Sequence, residues 1–401
     1  MAYIRELTRD VEVHDPSKAY EGYTLFAPMF GNIAWLVDMN GKVVHYWEFK
    51  NITTNHARLT PRGTILWPGR GPEAIQELAS NCTELVEKDW EGNEVWRYDD
   101  QYLNHDFLVL DNGNLLLLRY TDMPDELQKK VKGGIPGTEI DGKIYGISLH
   151  EITRDKQVVW EWNNYQHLDP EKDMADCLDP RYTWGYSNSI DVFPNGDVLI
   201  SMRHFNTLAR IDKKTGEITW RWGPEHLLGH QHSVSVLENG NILCFDNGLH
   251  RKWMNPGDPI EIGTAFEASR VIEIDMNTGE IVWEYIDPQH LMYTNICGSA
   301  ERLANGNTLL CESKRGVFYE VTPEKEIVWK YRSPFVVPRP AYFGWVESKL
   351  VFQAHRYGTG FKGFEGKTLD PDNFEWVIRR KPKEAREEEE KIKQRLSRLG
   401  Y

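Results

Sequence analysis

The sequence predicts an all-β fold, a six-bladed β-propeller with four-stranded antiparallel blades, and three observations carry that expectation. Two short patterns recur six times each and alternate along the chain. Both have the length and alternation of a β-hairpin. The chain also opens and closes on incomplete halves of the repeat, so each terminal half needs the other.

The first pattern is a strand, a turn and a strand: LTPRGTILW, LVLDNGNLLLL, DVFPNGDVLIS, SVLENGNILCF, RLANGNTLLC and WVESKLVFQA. Asn-Gly and related pairs between apolar runs are the strongest short-range hairpin signal. The second pattern ends in a tryptophan followed by a polar residue: GKVVHYWEF, GNEVWRYDD, KQVVWEWNN, GEITWRWGP, GEIVWEYID and KEIVWKYRS, carrying Trp47, Trp96, Trp160, Trp220, Trp283 and Trp329. Alternation of the two makes a four-stranded unit, and tandem units that pack only on their neighbours make a propeller.

The opening stretch IAWLVDMNGKVVHYW supplies a third and fourth strand, and the closing stretch AYFGWVESKLVFQAH a first and second. Residues 33–48 and 342–356 are therefore expected in one blade, closing the ring with N- and C-terminal strands and leaving no open sheet edge. The propeller is expected over residues 20–365, with a C-terminal extension containing a helix over 366–401. In that tail Glu387–Lys391 and Glu389–Lys393 are spaced for i, i+4 pairs, while Ile392, Leu396 and Leu399 form a narrow apolar stripe. Such a stripe would dock on the ring or join a homo-oligomer. Residues 121–145 interrupt the second blade and residues 163–186 lengthen the path to the third, either placed to cover a channel mouth.

Composition removes several function classes. Asp and Glu number 61 against 47 Lys and Arg, a formal net charge of -14. This balance opposes nucleic-acid or anionic-membrane partners, both of which need clustered basic residues. No stretch is long and apolar enough to span a bilayer, and MAYIRELTRDVEVHDPSKAY has no signal-peptide core, so a cytoplasmic protein is expected. The five cysteines are odd in number and lack CxxC spacing, which suits reduced thiols.

The repeat also points to a site. Eight residues before the turn glycine stand His105 (from Gly113), Asn188 (from Gly196), His232 (from Gly240) and Gly298 (from Gly306); His56 stands seven before Gly63. First strands of a propeller face its channel, so these residues are expected at one mouth, where ligand sites gather a few polar groups. Imidazole suits proton transfer near neutral pH, nucleophilic attack and metal binding. Candidate catalytic residues are His232, His105, His56 and Arg251, the last a guanidinium fork matched to sulfate, phosphate or carboxylate. Candidate substrate-binding residues are Asn188, Gln231, Asn295, Tyr342, His355 and Arg356. His167, His226 and His290 recur after the Trp hairpin in YQHLD, PEHLL and PQHLM, and are expected to pack loops; His14, His45 and His204 carry no motif.

These residues resemble the arylsulfotransferase family of six-bladed propellers. The likeness runs from GYTLFAPMFGNIAWLVDMNGKVVHYW through NHDFLVLDNGNLLLL and QHSVSVLENGNILCFDNGLHR to GSAERLANGNTLLCES and FQAHRYG, and its most specific element is QH…NGN…FDNG…R. The resemblance implies transfer of a sulfuryl group between phenols without a nucleotide donor, through a transiently sulfated histidine, with His105, His232 and Arg251 holding and polarising the sulfate. It requires no cofactor. The fifth blade offers Gly298 and no histidine, which leaves His232, nearest the expected anion clamp Arg251, or another channel histidine as the expected nucleophile. The alternative is a lyase or hydrolase acting on a small anionic or aromatic substrate through the same histidines, with a divalent metal on His105 and His232. Under either reading the partner is a small molecule; a non-catalytic docking platform would leave the histidines without a purpose.

Overall fold

In the computed structural model the protein is all-β, with few helices. The structure describes residues 3–4, 11–53, 55–78, 80–223, 227–250, 268–289, 292–341 and 344–374. Six antiparallel sheets form the blades. In chain order the first is Arg58–Leu59, Ile65–Gly69, Glu84–Lys88 and Glu94–Asp99; the second Leu103–Val109, Leu115–Asp122, Tyr145–Ile152 and Val158–Asn163. The third comprises Ser187–Val192, Val198–Met202, Thr207–Ile211 and Ile218–Trp222, and the fourth His232–Val236, Ile242–Asp246, Arg270–Ile274 and Ile281–Ile286. The fifth runs Ser299–Arg302, Thr308–Glu312, Val317–Val321 and Ile327–Arg332, with Val11–His14 added beyond its last strand. The sixth has the order Val351–Gly358, Gly22–Pro28, Ile33–Val37, Val43–Glu48.

That sixth blade corrects the expected strand split. Only one C-terminal strand enters it, pairing Tyr357 with Tyr23 and His355 with Leu25, and three N-terminal strands complete it. Gly344–Ser348, expected as the other C-terminal strand, pairs instead with Phe335–Ala341, which also takes Tyr3–Ile4. The reason is local. Phe335–Ala341 offers a complementary partner close in sequence, and its Pro338 and Pro340 lie beyond the stretch that Tyr3–Ile4 covers, where among the described residues no second ladder asks for their missing N–H. The expected tail helix lies outside the described residues.

The chain divides into two compact units: one of residues 1–69, 85–97 and 303–401, the other of residues 70–84 and 98–302. Each has its own buried clusters. In the first unit Phe26, Trp35, Phe318, Trp329 and Tyr331 pack together, and Trp47, Trp67 and Val86 form a second cluster. In the other unit, one cluster gathers Leu116, Leu118, Tyr120, Trp162, Trp184 and Ile200 and another Leu208, Trp222, Val234 and Ile272.

The tryptophan repeat has a physical cause. The Trp47 indole donates to the Asp89 carbonyl at 3.1 Å and that of Trp329 to Met39 at 2.9 Å. In the other unit the repeat's Trp160 donates to the Lys213 carbonyl at 2.9 Å, and Trp162 and Trp222, each two residues after a tryptophan of the repeat, donate to Gly216 and Gly279, both at 2.9 Å. Each ring fills the space between two blades while its only polar atom caps a turn of the neighbour. The long segments around the second blade are ordered together: Gly133–Ile135 pairs in parallel with Ala175–Pro180, and the Trp184 indole donates to the Asp173 carbonyl at 2.8 Å. Among the described residues no helix is long and apolar enough to cross a membrane.

Candidate functional site

The turn glycines set the register from which the site is built. Gly113, Gly196, Gly240 and Gly306 have φ of 83°, 90°, 84° and 89°, a left-handed conformation that only glycine adopts without strain. Eight residues earlier, His105, Asn188 and His232 are all buried at the start of their blades' first strands. The residue after each ties down the next blade. Asp106 accepts from the Ile190 N–H at 2.8 Å, Ser189 from Val234 at 3.0 Å and Ser233 from Ala300 at 3.3 Å. One strand position thus faces the site while its neighbour fastens the blades, so the two jobs alternate as side chains do along a strand.

His232 is held in one tautomer. Asn247 donates through Nδ2 to the carbonyls of Thr294 (2.7 Å) and Cys297 (2.6 Å), which turns its Oδ1 toward His232 Nδ1 at 2.7 Å. Nδ1 must therefore carry the proton, and Nε2 keeps its lone pair, accepting at 3.2 Å from the Cys297 N–H. Burial pushes the His232 imidazole well below its ordinary range, and the Arg203 charge works the same way. The ring is neutral at pH 7.

His105 opens a hydroxyl chain. Its Nε2 lies 3.0 Å from the Tyr186 hydroxyl, Tyr186 donates to Ser80 Oγ at 2.7 Å, and Ser80 stands 2.7 Å from the Tyr120 hydroxyl. Burial raises both phenols above their usual range, so they stay protonated. A run of neutral hydroxyls on an imidazole can reorient to pass a proton along.

Beside it stands a buried ionic group around Asp179, contributed by the ordered segment between the second and third blades. His230 Nε2 lies 2.9 Å from Asp179 Oδ2, Arg203 Nη1 3.4 Å from Oδ1 and His204 Nε2 3.8 Å from the same oxygen. Burial alone would raise the Asp179 carboxyl, but the His230 hydrogen bond and the Arg203 charge outweigh it and hold it at about 2. Burial carries His204 the other way, down to about 3. His230, Ser233, His250 and Cys297 all have left-handed backbone, with φ of 59°, 49°, 58° and 59°. Such strain in non-glycine residues persists only where surrounding contacts enforce it.

The remaining expected residues fall in several places. Asn188 donates to the Gln231 carbonyl at 2.8 Å, and Gln231 donates to Ser201 Oγ at 3.1 Å. The side-chain oxygens of Asn188, Gln231 and Asn295 are buried and accept no hydrogen bond among the described residues. Gly298 has φ of 105°, and a Cβ there would lie 2.6 Å from the Phe245 ring, so no side chain fits where the fifth blade lacks its histidine. In the other unit His56 Nδ1 and His355 Nε2 stand 2.9 Å apart. Arg356 is fully engaged within the protein, bonded to Glu320 at 3.1 Å and Thr24 at 2.8 Å and stacked over Trp329. Arg251, Tyr342, His226 and His290 lie outside the described residues. His167 stacks on Trp162 with ring centroids 5.4 Å apart, and His45 stacks on Trp90 at 4.1 Å.

Sequence reasoning missed Asn247, Tyr186, Arg203, His204 and Asp179. Asn247 sits inside the FDNG motif, and Tyr186 two residues before Asn188, so register was a usable signal for both. Asp179 lies in a segment without a counterpart in the repeat, which leaves no pattern to read. Among the described residues the group with metal-ligand proximity is Asp176, His230 and His250, rather than His105 with His232.

Comparison with known proteins adds the family. Structures similar to this chain include a protein of unknown function from Bacteroides caccae (TM-score 0.50, 12% identity, covering 78% of this chain and 94% of that one). A streptogramin B lyase is similar at TM-score 0.46 and 11% identity, covering 89% and 98% of the two chains. Virginiamycin B lyase from Staphylococcus aureus is similar at TM-score 0.44 and 11% identity, covering 83% and 88%. At these identities the likeness concerns the fold alone. No curated protein sequence matches. The family described as Arylsulfotransferase (ASST) matches residues 82–334, well over half of the chain, and the chain belongs to that family.

Proposed function

We propose that the protein transfers a sulfuryl group from an aryl sulfate to a phenol, with His232 as the nucleophile. The observation that carries this reading is the fixed tautomer: Asn247 holds the Nδ1 proton, so on the neutral ring it is Nε2 that carries the lone pair, and attack on sulfur exchanges its 3.2 Å contact with the Cys297 N–H for the new bond. Nε2 attacks sulfur, an N–S bond forms and the aryl O–S bond breaks with departure of a phenolate. The positive charge that develops on the ring is met by the Nδ1–H bond to Asn247. His105, backed by its hydroxyl chain, protonates the leaving phenolate and takes the proton back from the incoming phenol. The acceptor oxygen then attacks sulfur and the N–S bond breaks, restoring His232.

Arg203 supplies positive charge near both His232 and Tyr186, and Arg251 is the family-implied partner for the sulfate oxygens. The buried side-chain oxygens of Asn188, Gln231 and Asn295 accept no hydrogen bond among the described residues, and the single O–H of a phenol supplies a donor to one of them. His56 with His355 forms a second imidazole pair that this scheme does not require. Membership of the family supports a transferase. The test is turnover of p-nitrophenyl sulfate with a phenol acceptor. Ping-pong kinetics and one added sulfuryl mass on the His232 peptide are expected. Absence of the adduct, with activity that disappears on chelation and returns with metal, overturns the reading.

A further inference from the structure

The group formed by Asp176, His230 and His250 has no place in sulfuryl transfer, and its chemistry calls for a cation. Both nitrogens of His230 face acceptors: Nε2 meets Asp179 Oδ2 at 2.9 Å and Nδ1 meets the Leu249 carbonyl at 3.1 Å. Asp179 and the Leu249 carbonyl thus take up the two ring nitrogens from opposite sides. With the proton on Nε2 toward Asp179, Nδ1 is left as a ligand, the carboxylate–histidine arrangement that orients metal-bound imidazoles. His250 Nδ1 is shielded from solvent and stands 3.4 Å from Asp176 Oδ2 without the alignment of a hydrogen bond. Its ring meets that of His230 edge to face, with centroids 4.9 Å apart.

The spacings fit coordination. Bonds of about 2.0–2.2 Å at tetrahedral angles leave neighbouring ligand atoms about 3.4 Å apart. Contacts of 3.1 Å for His230 with Leu249 and 3.4 Å for His250 with Asp176 match two such edges. The three side-chain ligand atoms lie within 4.8 Å of one another, so closing on an ion takes a shift on the order of 1 Å. Two imidazoles, a carboxylate and a carbonyl suit a borderline divalent ion.

We propose that Asp176, His230 and His250 bind one divalent transition-metal ion of the zinc type, with the Leu249 carbonyl beside it. The ion fastens the strand Ala175–Pro180, which carries Asp176, to the loops that lead into and out of the fourth blade's first hairpin. The site is independent of the sulfuryl-transfer reading.

Cobalt(II) titration of the full-length, chelator-stripped protein tests it. One equivalent is expected to give the visible ligand-field band of four-coordinate cobalt, displaced by zinc. His250→Ala and Asp176→Asn, at partly exposed positions, are expected to abolish the band, and Asp179→Asn to weaken binding about 10–100-fold. His105→Ala is expected to leave it intact. No band in folded wild-type protein, a band that survives His250→Ala and Asp176→Asn, or one lost with His105→Ala, overturns the proposal.

Discussion

Two regions of the molecule use histidine differently. In the first unit His56 and His355 form an imidazole pair 2.9 Å apart, in which either ring can be the donor. In the second unit His232 is read by an amide whose own orientation two backbone carbonyls fix. The difference teaches where directed chemistry can reside. In a mutual pair each ring can serve as donor or acceptor to the other, whereas an imidazole held by a one-way acceptor presents the same nitrogen at every encounter. The arginines repeat the contrast. Arg356 is locked to Glu320 with both side chains fully buried, while Arg203 touches Asp179 at a long 3.4 Å and acts on His232 and Tyr186 through its charge.

The strongest way to break this comparison is to remove the histidines one at a time. His232→Ala and His105→Ala are each expected to lower sulfuryl-transfer turnover by about 10²–10⁴ with the fold intact by circular dichroism. His56→Gln is expected to cost less than about tenfold. Equal losses at His56 and His232 would erase the distinction between the two regions.

Next in size are two changes read in stability. Trp329→Ala removes a fully buried ring and its turn-capping N–H, and a loss of about 3–5 kcal/mol in denaturant unfolding is expected. Gly298→His, which writes the missing histidine into the fifth blade, is expected to destabilise by about 2–5 kcal/mol through backbone strain and the Phe245 clash, and to add no activity. A stable Gly298→His protein with faster turnover would show that the blade tolerates a histidine there.

Acid sharpens the comparison with a smaller effect. His204 and His45 have folded pKa values of about 3 and about 4, below the ordinary 6.5, because burial disfavours their charged forms. The unfolded chain therefore binds more protons below pH 6.5, and stability falls as pH drops from there toward 4. Each group contributes at most about 1.4 kcal/mol per pH unit over that window. Asp179, held at about 2, adds its own loss only below pH 4. His45→Phe is expected to flatten the unfolding-versus-pH curve between pH 6.5 and 4, and an unchanged slope would rule out burial of His45 as a cause.

Much of this protein was readable in its repeats. Strand alternation, turn glycines and the recurring tryptophan determine six four-stranded blades because each is a local rule: a period of two, a left-handed turn residue, an aromatic that must bury its ring and satisfy its N–H. The same register located His105, Asn188 and His232, since one strand position recurs in one orientation. Tertiary structure alone decided the rest. The strand Gly22–Pro28 pairs with Val351–Gly358, where Gly344–Ser348 was expected, while Gly344–Ser348 pairs with Phe335–Ala341, a choice between two available partners that alternation along a strand does not make. The tautomer of His232 depends on carbonyls at Thr294 and Cys297, far along the chain, acting through Asn247. Asp179 meets His230 and Arg203 only because a non-repeating segment folds back onto the third and fourth blades, a contact made by three-dimensional proximity that no period in the chain announces.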